Sequence, residues 1–508
     1  MEGGVPMQTR SLEFLVGQHT IKRLSLSLAL FGIGSLGSLP GCTTSTKTVE
    51  VQRTITTEAA LSDFDRMWEL IDTTHYDPEH NGVDWDSVRD ELRPQAQDAR
   101  NRREIRSVMR EALDRLGQSH FGIIAEADDE VSKESDTSET SNDSSHADST
   151  DQAQTTTETI ISEDSPADDS ASDGTGDGDT GIDLRILDGQ AVVTAVRDQS
   201  PAQRAGVQTG WVLTNVRSRE LADGLARLRE YLDEIEFDIN ARRMILGNNL
   251  QGPPGTTIDL TFLNRDDEVV ELNITRAPMP GEFVKFGNLP PMSTHLEWDR
   301  FTTTNPDGQS TEIGVIAFNI WMIPIMAQFE KAMFELRDVD GLIIDVRGNP
   351  GGIGGLAPAI SRFLVSEKSS LGTMSMRGTD LQFNAEPVIV TTWGERLDPF
   401  TGPIAILIDT GSASTSEVFA GGLHSLGRVE TFGTRSAGMA LPAAMDKLPS
   451  GDVLLHAIAD FVTSTGYRLE KDGVQLDHYV PLTREDLSNG IDSPKQAATE
   501  WIAQETAE

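Results

Sequence analysis

The spacing of apolar residues changes along the chain and separates a helical part from a part rich in strands. From Glu58 to Leu116, apolar residues recur every three to four positions, as in helices, and Pro78 interrupts the run. From Gly181 to Ile274, short apolar runs alternate with turn residues around a polar stretch of helical spacing, about Glu220 to Leu246. The pattern predicts a small helical domain, then a β-rich domain with one inserted helix.

A larger α/β unit is predicted from about Met279 to the end of the chain. Ile313–Phe318 reads as a strand and Ile325–Leu336 as an amphipathic helix. Leu342–Val346 and Ile404–Ile408 are almost entirely apolar, which is typical of strands that are buried on both faces of a sheet. The chain as a whole is therefore predicted to be a multi-domain α/β protein.

The sequence after the strand at Ile404–Ile408 fits a nucleophilic serine. Asp409–Gly411 ends the strand, and a helix of small residues is predicted to begin near Ser414. The first N–H groups of a helix lack partners, so an oxyanion beside Ser414 would be stabilised there. Ser414 and Glu417 also fit a capping box that closes the first helical turn, and this stretch alone favours the cap.

A glycine-rich turn follows the strand at Leu342–Val346. The run Asp345–Gly352, which reads DVRGNPGG, would let the backbone approach a ligand closely. Such a turn after a strand also occurs in phosphate sites, but no Gly-Lys-Ser/Thr sequence and no ribose-binding pattern follow it. The sequence argues against a nucleotide site.

Ser119 and His120 lie where a predicted helix changes to a predicted strand. Gly117 ends the helix, and Phe121–Ile124 has the composition of a strand. A histidine in a loop can act as a base, but most such histidines are ordinary surface groups. Taken alone, His120 is a weak candidate.

The charge of the chain is concentrated in one segment. The 508 residues have a formal net charge of −39, and residues 126–180 hold 18 Asp and Glu against one Lys. This segment has too few large apolar residues to fold, so we expect a disordered linker. The run Asp173–Asp179 is a weak calcium-loop candidate without a terminal Glu. Such an acidic surface repels nucleic acid, and no nucleic-acid partner is expected.

The N-terminal residues fit a secretory signal. Lys22 and Arg23 precede an apolar run, Leu24–Leu39, that is too short and glycine-rich for a comfortable membrane span. The ending LPGC resembles a bacterial lipobox, and Cys42 is the single cysteine, so no intramolecular disulfide can form. We expect a lipid anchor on Cys42 and a location in the bacterial cell envelope, facing the periplasm or exterior. The alternative is an uncleaved signal anchor.

The order of these motifs carries a family resemblance. Ser119-His120, DVRGNPGG, GSASTSEVFAGGL at Gly411–Leu423, and Leu469-Glu470 follow one another as in the carboxyl-terminal processing (tail-specific) peptidases and the core of tricorn protease. The chain resembles these serine peptidases, which implies a crotonase-like α/β catalytic core. The piece Ser200–Gly206 resembles the helix and turn of a PDZ domain, a fold that captures peptide carboxyl ends.

The resemblance also implies the catalytic residues. The tail-specific branch uses a lysine after Gly438, but Met439 stands there and cannot take a proton, which excludes a Ser–Lys dyad. The tricorn branch implies Ser414 as nucleophile and His120 as general base, with Ser119 and Glu470 orienting the imidazole. It further implies an oxyanion hole, which is formed by the N–H groups of Thr415 and of Gly351 or Gly352.

The resulting prediction is a secreted, lipid-anchored serine endopeptidase that acts through an acyl-enzyme on Ser414. Its substrates are expected to be proteins or peptides, presented by their C-termini; no metal or other cofactor is expected, and the oligomeric state is open. The alternatives are a non-catalytic PDZ-containing binding lipoprotein and an acyl-CoA enzyme of crotonase type, which the signal peptide disfavours. The predicted domains are a lipoprotein signal peptide (1–42), an N-terminal helical domain (43–125), an acidic linker (126–180), a PDZ-like domain (181–278) and a catalytic core (279–508).

Overall fold

The computed structural model describes residues 55–126, 177–286 and 291–507. We call residues 55–126 the helical module, residues 177–278 the middle module, and residues 279–286 with 291–507 the core. The predicted signal peptide with Cys42 lies outside the described residues, as do residues 127–176 of the predicted linker and the first part of the run Asp173–Asp179.

Helices with a shared apolar interior form the helical module. Their bounds are α1 (Thr57–Thr74), α2 (Trp85–Asp98) and α3 (Arg102–Asp114), with a 3-10 turn at His80–Gly82 and a final strand, β1 (Gly122–Ile124). Each helix begins after a residue whose side chain accepts a first-turn N–H, namely Thr56, Asp84 and Asn101. The helical pattern predicted from the sequence is therefore present.

The middle module is an antiparallel sheet with helices on it. Its strands are β2 (Gly178–Asp179), β3 (Ile182–Leu187), β4 (Gln190–Val196), β5 (Val212–Val216), β6 (Arg219–Glu220), β7 (Thr257–Leu263), β8 (Val269–Thr275) and β9 (Ala277–Pro278). Its helices are α4 (Pro201–Ala205), α5 (Ala222–Tyr231) and α6 (Glu234–Ile245), and a π-turn follows at Leu246–Leu250. The main sheet has the order β3-β4-β5-β7-β8, and β6 pairs with β5.

The prediction of one inserted helix over Glu220–Leu246 is wrong. The stretch contains two helices, α5 and α6, because the chain leaves the helical conformation at Leu232 and Asp233. The Asp233 carboxylate accepts the N–H of Glu236 at 2.9 Å and so starts a new helix. Local capping therefore overrides the continuous helical spacing.

The predicted linker extends too far at both ends. Gly178 exchanges two backbone hydrogen bonds with Gly252, and β2 pairs with β9. The carbonyl of Thr180 accepts the N–H of Ala202 at 2.9 Å, and Glu126 donates its N–H to Asp452. Composition alone could not reveal these pairings, because they use main-chain groups.

The core is built around a mixed sheet of six strands. Its strands are β10 (Glu282–Val284), β11 (Met292–Thr294), β12 (Leu296–Thr304), β13 (Ser310–Phe318), β14 (Gly341–Asp345), β15 (Ser369–Met376), β16 (Thr379–Ala385), β17 (Ile404–Ile408), β18 (Glu430–Gly433), β19 (Ala443–Lys447), β20 (Val453–Ala457), β21 (Ala459–Thr463) and β22 (His478–Tyr479). Its helices are α7 (Ile323–Glu335), α8 (Leu356–Ser361), α9 (Thr415–Ser425), α10 (Arg484–Ser488) and α11 (Ser493–Glu505). The main sheet runs β12-β13-β14-β17-β18-β22, parallel from β13 onward.

Both faces of this sheet are buried, as the apolar strands predicted. On one face, Leu342, Ile344 and Ile406 pack with residues of α7, α8 and α9. On the other face, Ile343 and Leu407 pack against α11. The carboxyl ends of β14 and β17, which are neighbours in the sheet, therefore lie side by side and carry the glycine-rich turn and Ser414.

The helical module is tied to the core by a shared sheet and an ion pair. Strand β1 pairs antiparallel with β20, and β20 pairs with β19. Arg106 on α3 donates two hydrogen bonds, of 2.6 and 2.7 Å, to the fully buried carboxylate of Asp452. This attachment fixes the loop between α3 and β1, where Ser119 and His120 lie.

No helix among residues 55–126, 177–286 and 291–507 is both long and apolar enough to cross a membrane.

Candidate active site

A hydrogen-bonded chain of side chains connects the helical module with Ser414, which precedes helix α9 of the core. Glu470 Oε2 accepts the hydroxyl of Ser119 at 2.8 Å, and Ser119 Oγ lies 2.8 Å from His120 Nδ1. His120 Nε2 lies 3.2 Å from Ser414 Oγ. The structure thus brings together the four side chains that the sequence proposed as a set, although they are up to 351 positions apart.

The hydrogen-bond directions set the tautomer of His120. Because Ser119 donates its hydroxyl proton to Glu470, its oxygen is left to accept from Nδ1–H of His120. The other ring nitrogen, Nε2, is then unprotonated and faces the hydroxyl of Ser414. This is the arrangement that a general base requires.

Electrostatics also favour neutral His120. Burial of the imidazole lowers its pKa from 6.5 to about 4. The ring therefore stays uncharged, and Nε2 keeps its lone pair, at neutral pH.

The backbone at Ser414 is held in an unusual conformation. Ser414 has φ 56° and ψ −117°, although it carries a side chain. Its N–H donates to the carbonyl of Met439 at 2.8 Å and to Glu417 Oε2 at 3.1 Å. The N–H of Glu417 donates to the main-chain carbonyl of Ser414 at 2.9 Å, and Ser414 Oγ faces His120 Nε2. Glu417 therefore supports the turn as a cap partner does, while the serine hydroxyl remains available.

The structure distinguishes the two glycines proposed for the oxyanion hole. The N–H of Gly351 donates to Asn349 Oδ1 at 3.0 Å and is therefore occupied. The N–H groups of Gly352 and Thr415 have no hydrogen-bond partner within the described residues. The hydroxyl of Thr415 donates to the carbonyl of Gly352 at 3.0 Å, which holds these two residues together. Gly352 and Thr415 are the available donor pair.

Gly351 is needed for a different reason, which is space. A Cβ atom at this position would lie 2.6 Å from Ser414 Cβ and 2.9 Å from the nitrogen of Thr415. Its φ of 95° also lies in the region that favours glycine. The turn can therefore pack against Ser414 only because residue 351 has no side chain.

Sequence reasoning missed two buried polar residues that support the site. Asn349 is fully buried; it accepts from Gly351 and donates through Nδ2 to the carbonyl of Phe318 at 2.9 Å. Ser436 is fully buried and donates to Glu417 Oε1 at 2.7 Å. The asparagine within DVRGNPGG was a usable signal, whereas nothing around Ser436 marks it.

The other groups near the site do not add a metal centre. Within residues 55–126, 177–286 and 291–507, no cluster of three or more His, Cys, Asp or Glu side chains is arranged to hold a metal ion. Met439 contacts the site through its main chain, since its N–H donates to Glu417 Oε2 at 3.0 Å.

Comparisons with known protein sequences agree with this picture. The chain is 25% identical over 293 residues to carboxyl-terminal-processing peptidase 3 of Arabidopsis thaliana, which covers 57% of this chain and 50% of that protein. It is 25% identical over 327 residues to a carboxyl-terminal-processing protease of Synechocystis sp., which covers 63% of this chain and 67% of that protein. The chain thus spans about half the length of the Arabidopsis relative.

Solved structures show the same multi-domain α/β fold. The photosystem II D1 C-terminal processing protease superposes with a TM-score of 0.50 at 19% identity, over 89% of this chain and all of that chain. Mature CPAF in complex with lactacystin superposes with a TM-score of 0.51 at 13% identity, over 88% of this chain and 98% of that chain.

Two family descriptions match the chain itself. Residues 312–480 match peptidase family S41, and residues 57–114 match the Tricorn protease C1 domain. The first range contains Ser414 and Glu470, and the second ends six positions before His120. The resemblance recognised in the sequence is confirmed by these matches: a stretch similar to peptidase family S41 follows a stretch similar to the Tricorn protease C1 domain.

Proposed function

We propose that this protein is a serine endopeptidase that cleaves peptide bonds through an acyl-enzyme on Ser414. The observation that carries the proposal is the continuous hydrogen-bonded chain from Glu470 through Ser119 and His120 to Ser414. A buried carboxylate, an oriented neutral imidazole and a hydroxyl in this order are the parts of a nucleophile activated by a base.

In the first half of the reaction, Ser414 Oγ attacks the carbonyl carbon of the substrate and passes its proton to His120 Nε2. The carbonyl oxygen becomes an oxyanion, which is stabilised by hydrogen bonds from the N–H groups of Gly352 and Thr415. The tetrahedral intermediate collapses, the bond from carbon to nitrogen breaks, and His120 returns the proton to the leaving amine. An ester on Ser414 remains.

In the second half, water replaces the amine. The water oxygen attacks the ester carbon while His120 takes a proton from the water. The second tetrahedral intermediate then breaks its bond to Ser414 Oγ and releases the carboxyl product, and His120 returns the proton to Ser414 Oγ. Ser119 and Glu470 act as positioning residues, because Ser119 contacts the imidazole and Glu470 contacts Ser119, and neither contacts the reacting atoms. The Glu470 carboxylate, relayed by Ser119, stabilises the imidazolium that forms in each half.

The finer assignment of the fold also belongs to this proposal. The parallel strands β13, β14, β17 and β18 with helices on both faces support a crotonase-like core. The antiparallel sheet with the short helix α4 between β4 and β5 supports a PDZ-like middle module. The names of the relatives, carboxyl-terminal-processing proteases, support protein substrates presented by their C-termini.

The cellular setting is proposed from the sequence alone. The basic residues, apolar run and LPGC ending before residue 43 support a cleaved signal and a lipid on Cys42. This would anchor the peptidase to a membrane of the bacterial cell envelope. Incorporation of radiolabelled palmitate into the full chain, and its loss in Cys42→Ala, would test the anchor.

The activity is tested by labelling with a fluorophosphonate, which reacts with activated serines. In a chain of residues 43–508, the wild type is expected to label, and Ser414→Ala and His120→Ala are expected to lose labelling. Ser425→Ala is the matched control, because Ser425 lies at the end of the same helix and contacts Gly422 and Ser464 instead. Labelling that persists in Ser414→Ala would contradict the proposal by showing that a different serine reacts. A folded wild type that does not label would contradict it and favour a binding protein.

A further inference from the structure

Glu417 is a buried acidic residue that the proposed reaction does not use. It is the third residue of α9, and none of its surface is exposed. Its carboxylate accepts four hydrogen bonds, from the N–H groups of Ser414 (3.1 Å), Gly438 (2.7 Å) and Met439 (3.0 Å) and from the hydroxyl of Ser436 (2.7 Å). Within the described residues, no Lys or Arg forms an ion pair with it.

These bonds join the nucleophile to a segment that comes later in the sequence. Besides its bond to Glu417, the N–H of Ser414 donates to the carbonyl of Met439 at 2.8 Å. The N–H of Ala437 donates to the carbonyl of Ser412 at 3.0 Å. Residues 436–440, which we call the clamp segment, therefore run alongside the turn that holds Ser414 in its strained conformation.

The clamp segment also contacts the other half of the site. The N–H of Ala440 donates to Glu470 Oε2 at 3.0 Å, and Glu470 holds the N–H and hydroxyl of Ser119. The N–H of Lys471 donates to the carbonyl of Gly438 at 2.8 Å. One short segment thus connects the carboxylate that holds Ser414 with the carboxylate that holds Ser119 and, through it, His120.

We propose that the Glu417 carboxylate is a positioning residue of the peptidase reaction, which holds Ser414 in register with His120 through the clamp segment. The inference rests on the proposed function. Glu417 contacts the main-chain N–H of Ser414 and the clamp segment, and it forms no hydrogen bond with Ser414 Oγ, His120 or Ser119. Protonation of the carboxyl would remove acceptor capacity that four donors now share, and would loosen the turn.

The charge state of Glu417 makes this role sensitive to pH. Burial raises its pKa to about 7, although the Ser436 hydroxyl and the three N–H groups act in the opposite direction. The charged residues of the segments packed on it are Glu470, which faces Ser119, the exposed Arg435, Lys471 and Asp472, and His424 at the far end of α9. None of them forms an ion pair with Glu417 in the described chain.

Protonation of Glu417 is expected to change activity and folding stability in opposite directions. As pH falls below about 7, Glu417 takes up a proton and Ser414 loses its support, so activity falls. Because the pKa in the folded state is above its ordinary value, this protonation favours the folded state at low pH. His120, with a pKa of about 4, stays neutral in this range. A loss of activity near pH 7 is therefore expected to come from Glu417 rather than from unfolding or from protonation of His120.

The test compares Glu417→Gln with Glu330→Gln. Glu330 is also a buried glutamate, 5% exposed, and holds a distant loop through the N–H and hydroxyl of Thr392. Fluorophosphonate labelling rates are measured from about pH 5 to about pH 9. The wild type and Glu330→Gln are expected to slow about tenfold per pH unit below about pH 7. Glu417→Gln is expected to be at least about tenfold slower at pH 8 and independent of pH down to about 5.5.

Labelling of Glu417→Gln with the rate and pH profile of the wild type would overturn the inference while leaving the peptidase proposal intact. A wild type that does not label would instead contradict the peptidase proposal. In that case amide hydrogen exchange decides the role of Glu417. The N–H groups of Gly438 and Met439 should exchange at least about tenfold faster in Glu417→Gln but not in Glu330→Gln. Unchanged exchange would overturn the inference.

Discussion

His120 and Ser414 both have positive φ, of 61° and 56°, although neither is a glycine. Each such conformation costs on the order of 1–3 kcal/mol and persists only where surrounding bonds hold it. Ser414 is held by Met439 and Glu417, and His120 follows Ser119, whose N–H donates to Glu470 at 2.9 Å. The groups that we propose to react are therefore held in place without a bound substrate, by hydrogen bonds to main-chain atoms.

The lack of space at Gly351 predicts that even one added methyl group disturbs the site. In Gly351→Ala, the new Cβ would lie 2.6 Å from Ser414 Cβ at a φ of 95°, so the glycine turn must move away from the nucleophile. We expect the fluorophosphonate labelling rate to fall about 100-fold or more, as when an oxyanion donor is lost. Gly354→Ala is the control, because no atom lies within 4 Å of the place that its added methyl group would take. Equal rates for the two variants would show that the turn does not support Ser414.

The sequence predicted some residues of the site and not others. Ser414, His120, Ser119 and Glu470 were proposed from motif order, and the structure places them within hydrogen-bonding distance of one another. Glu417 was read only as a helix cap, because its bonds to residues 436–439 cross 19 to 22 positions of sequence. Hydrogen bonds from a side chain to main-chain groups far along the chain produce no local sequence pattern that could predict them.

At the scale of elements, adjacency of parallel strands explains why the nucleophile meets the glycine turn. Strands β14 and β17 are separated in sequence by residues 346–403 but pair directly, Ile344 with Ile406. Their apolar sequences predicted burial on both faces, and that prediction is confirmed. The break between α5 and α6 was not predicted, because capping by Asp233 competes with a helical spacing that continues through it.

The attachment of α3 to the core predicts that a distant ion pair affects catalysis. In Arg106→Ala, the fully buried carboxylate of Asp452 would lose its two shortest hydrogen bonds. Burial alone would raise the pKa of Asp452, and Arg106 helps to hold it below its ordinary value. We expect the free energy of unfolding to fall by about 3 kcal/mol, in the range found when a buried pair is broken. Labelling should fall too, because α3 leads into the loop that carries His120.

Arg115→Ala is the matched control for this variant. Arg115 is 42% exposed and pairs with Glu91 and Glu111 on the surface of the same module. Its loss should change stability by less than about 1 kcal/mol, as is usual for exposed pairs. Thermal unfolding followed by circular dichroism and the labelling rate measure both variants. A stability loss in Arg106→Ala without loss of labelling would show that the base is positioned independently of α3.

At the scale of the whole molecule, the site is assembled from all the described modules. The helical module supplies His120, and the core supplies Ser414. The middle module contacts the turns beside them: Arg185 on β3 donates to Asp409 Oδ2 at 2.6 Å, and Arg242 on α6 donates to the carbonyl of Gly348 at 3.1 Å. Asp409 in turn accepts the N–H of Gly348 at 2.7 Å. The middle module therefore contributes to the shape of the glycine turn.

Replacing Arg185 tests this contribution, with Arg197 as a control on the same module. Burial alone would raise the pKa of Asp409, but Arg185 and Arg242 hold it below its ordinary value, so Arg185→Ala leaves a buried carboxylate less compensated beside Gly348. Arg197→Ala removes a comparable pair, with Asp179 at 2.6 Å, within the middle module itself. We expect both variants to be less stable, but only Arg185→Ala to label at least about tenfold more slowly, because its partner supports the glycine turn. If the two variants lose stability and labelling in the same proportion, the middle module acts only as a structural neighbour of the site.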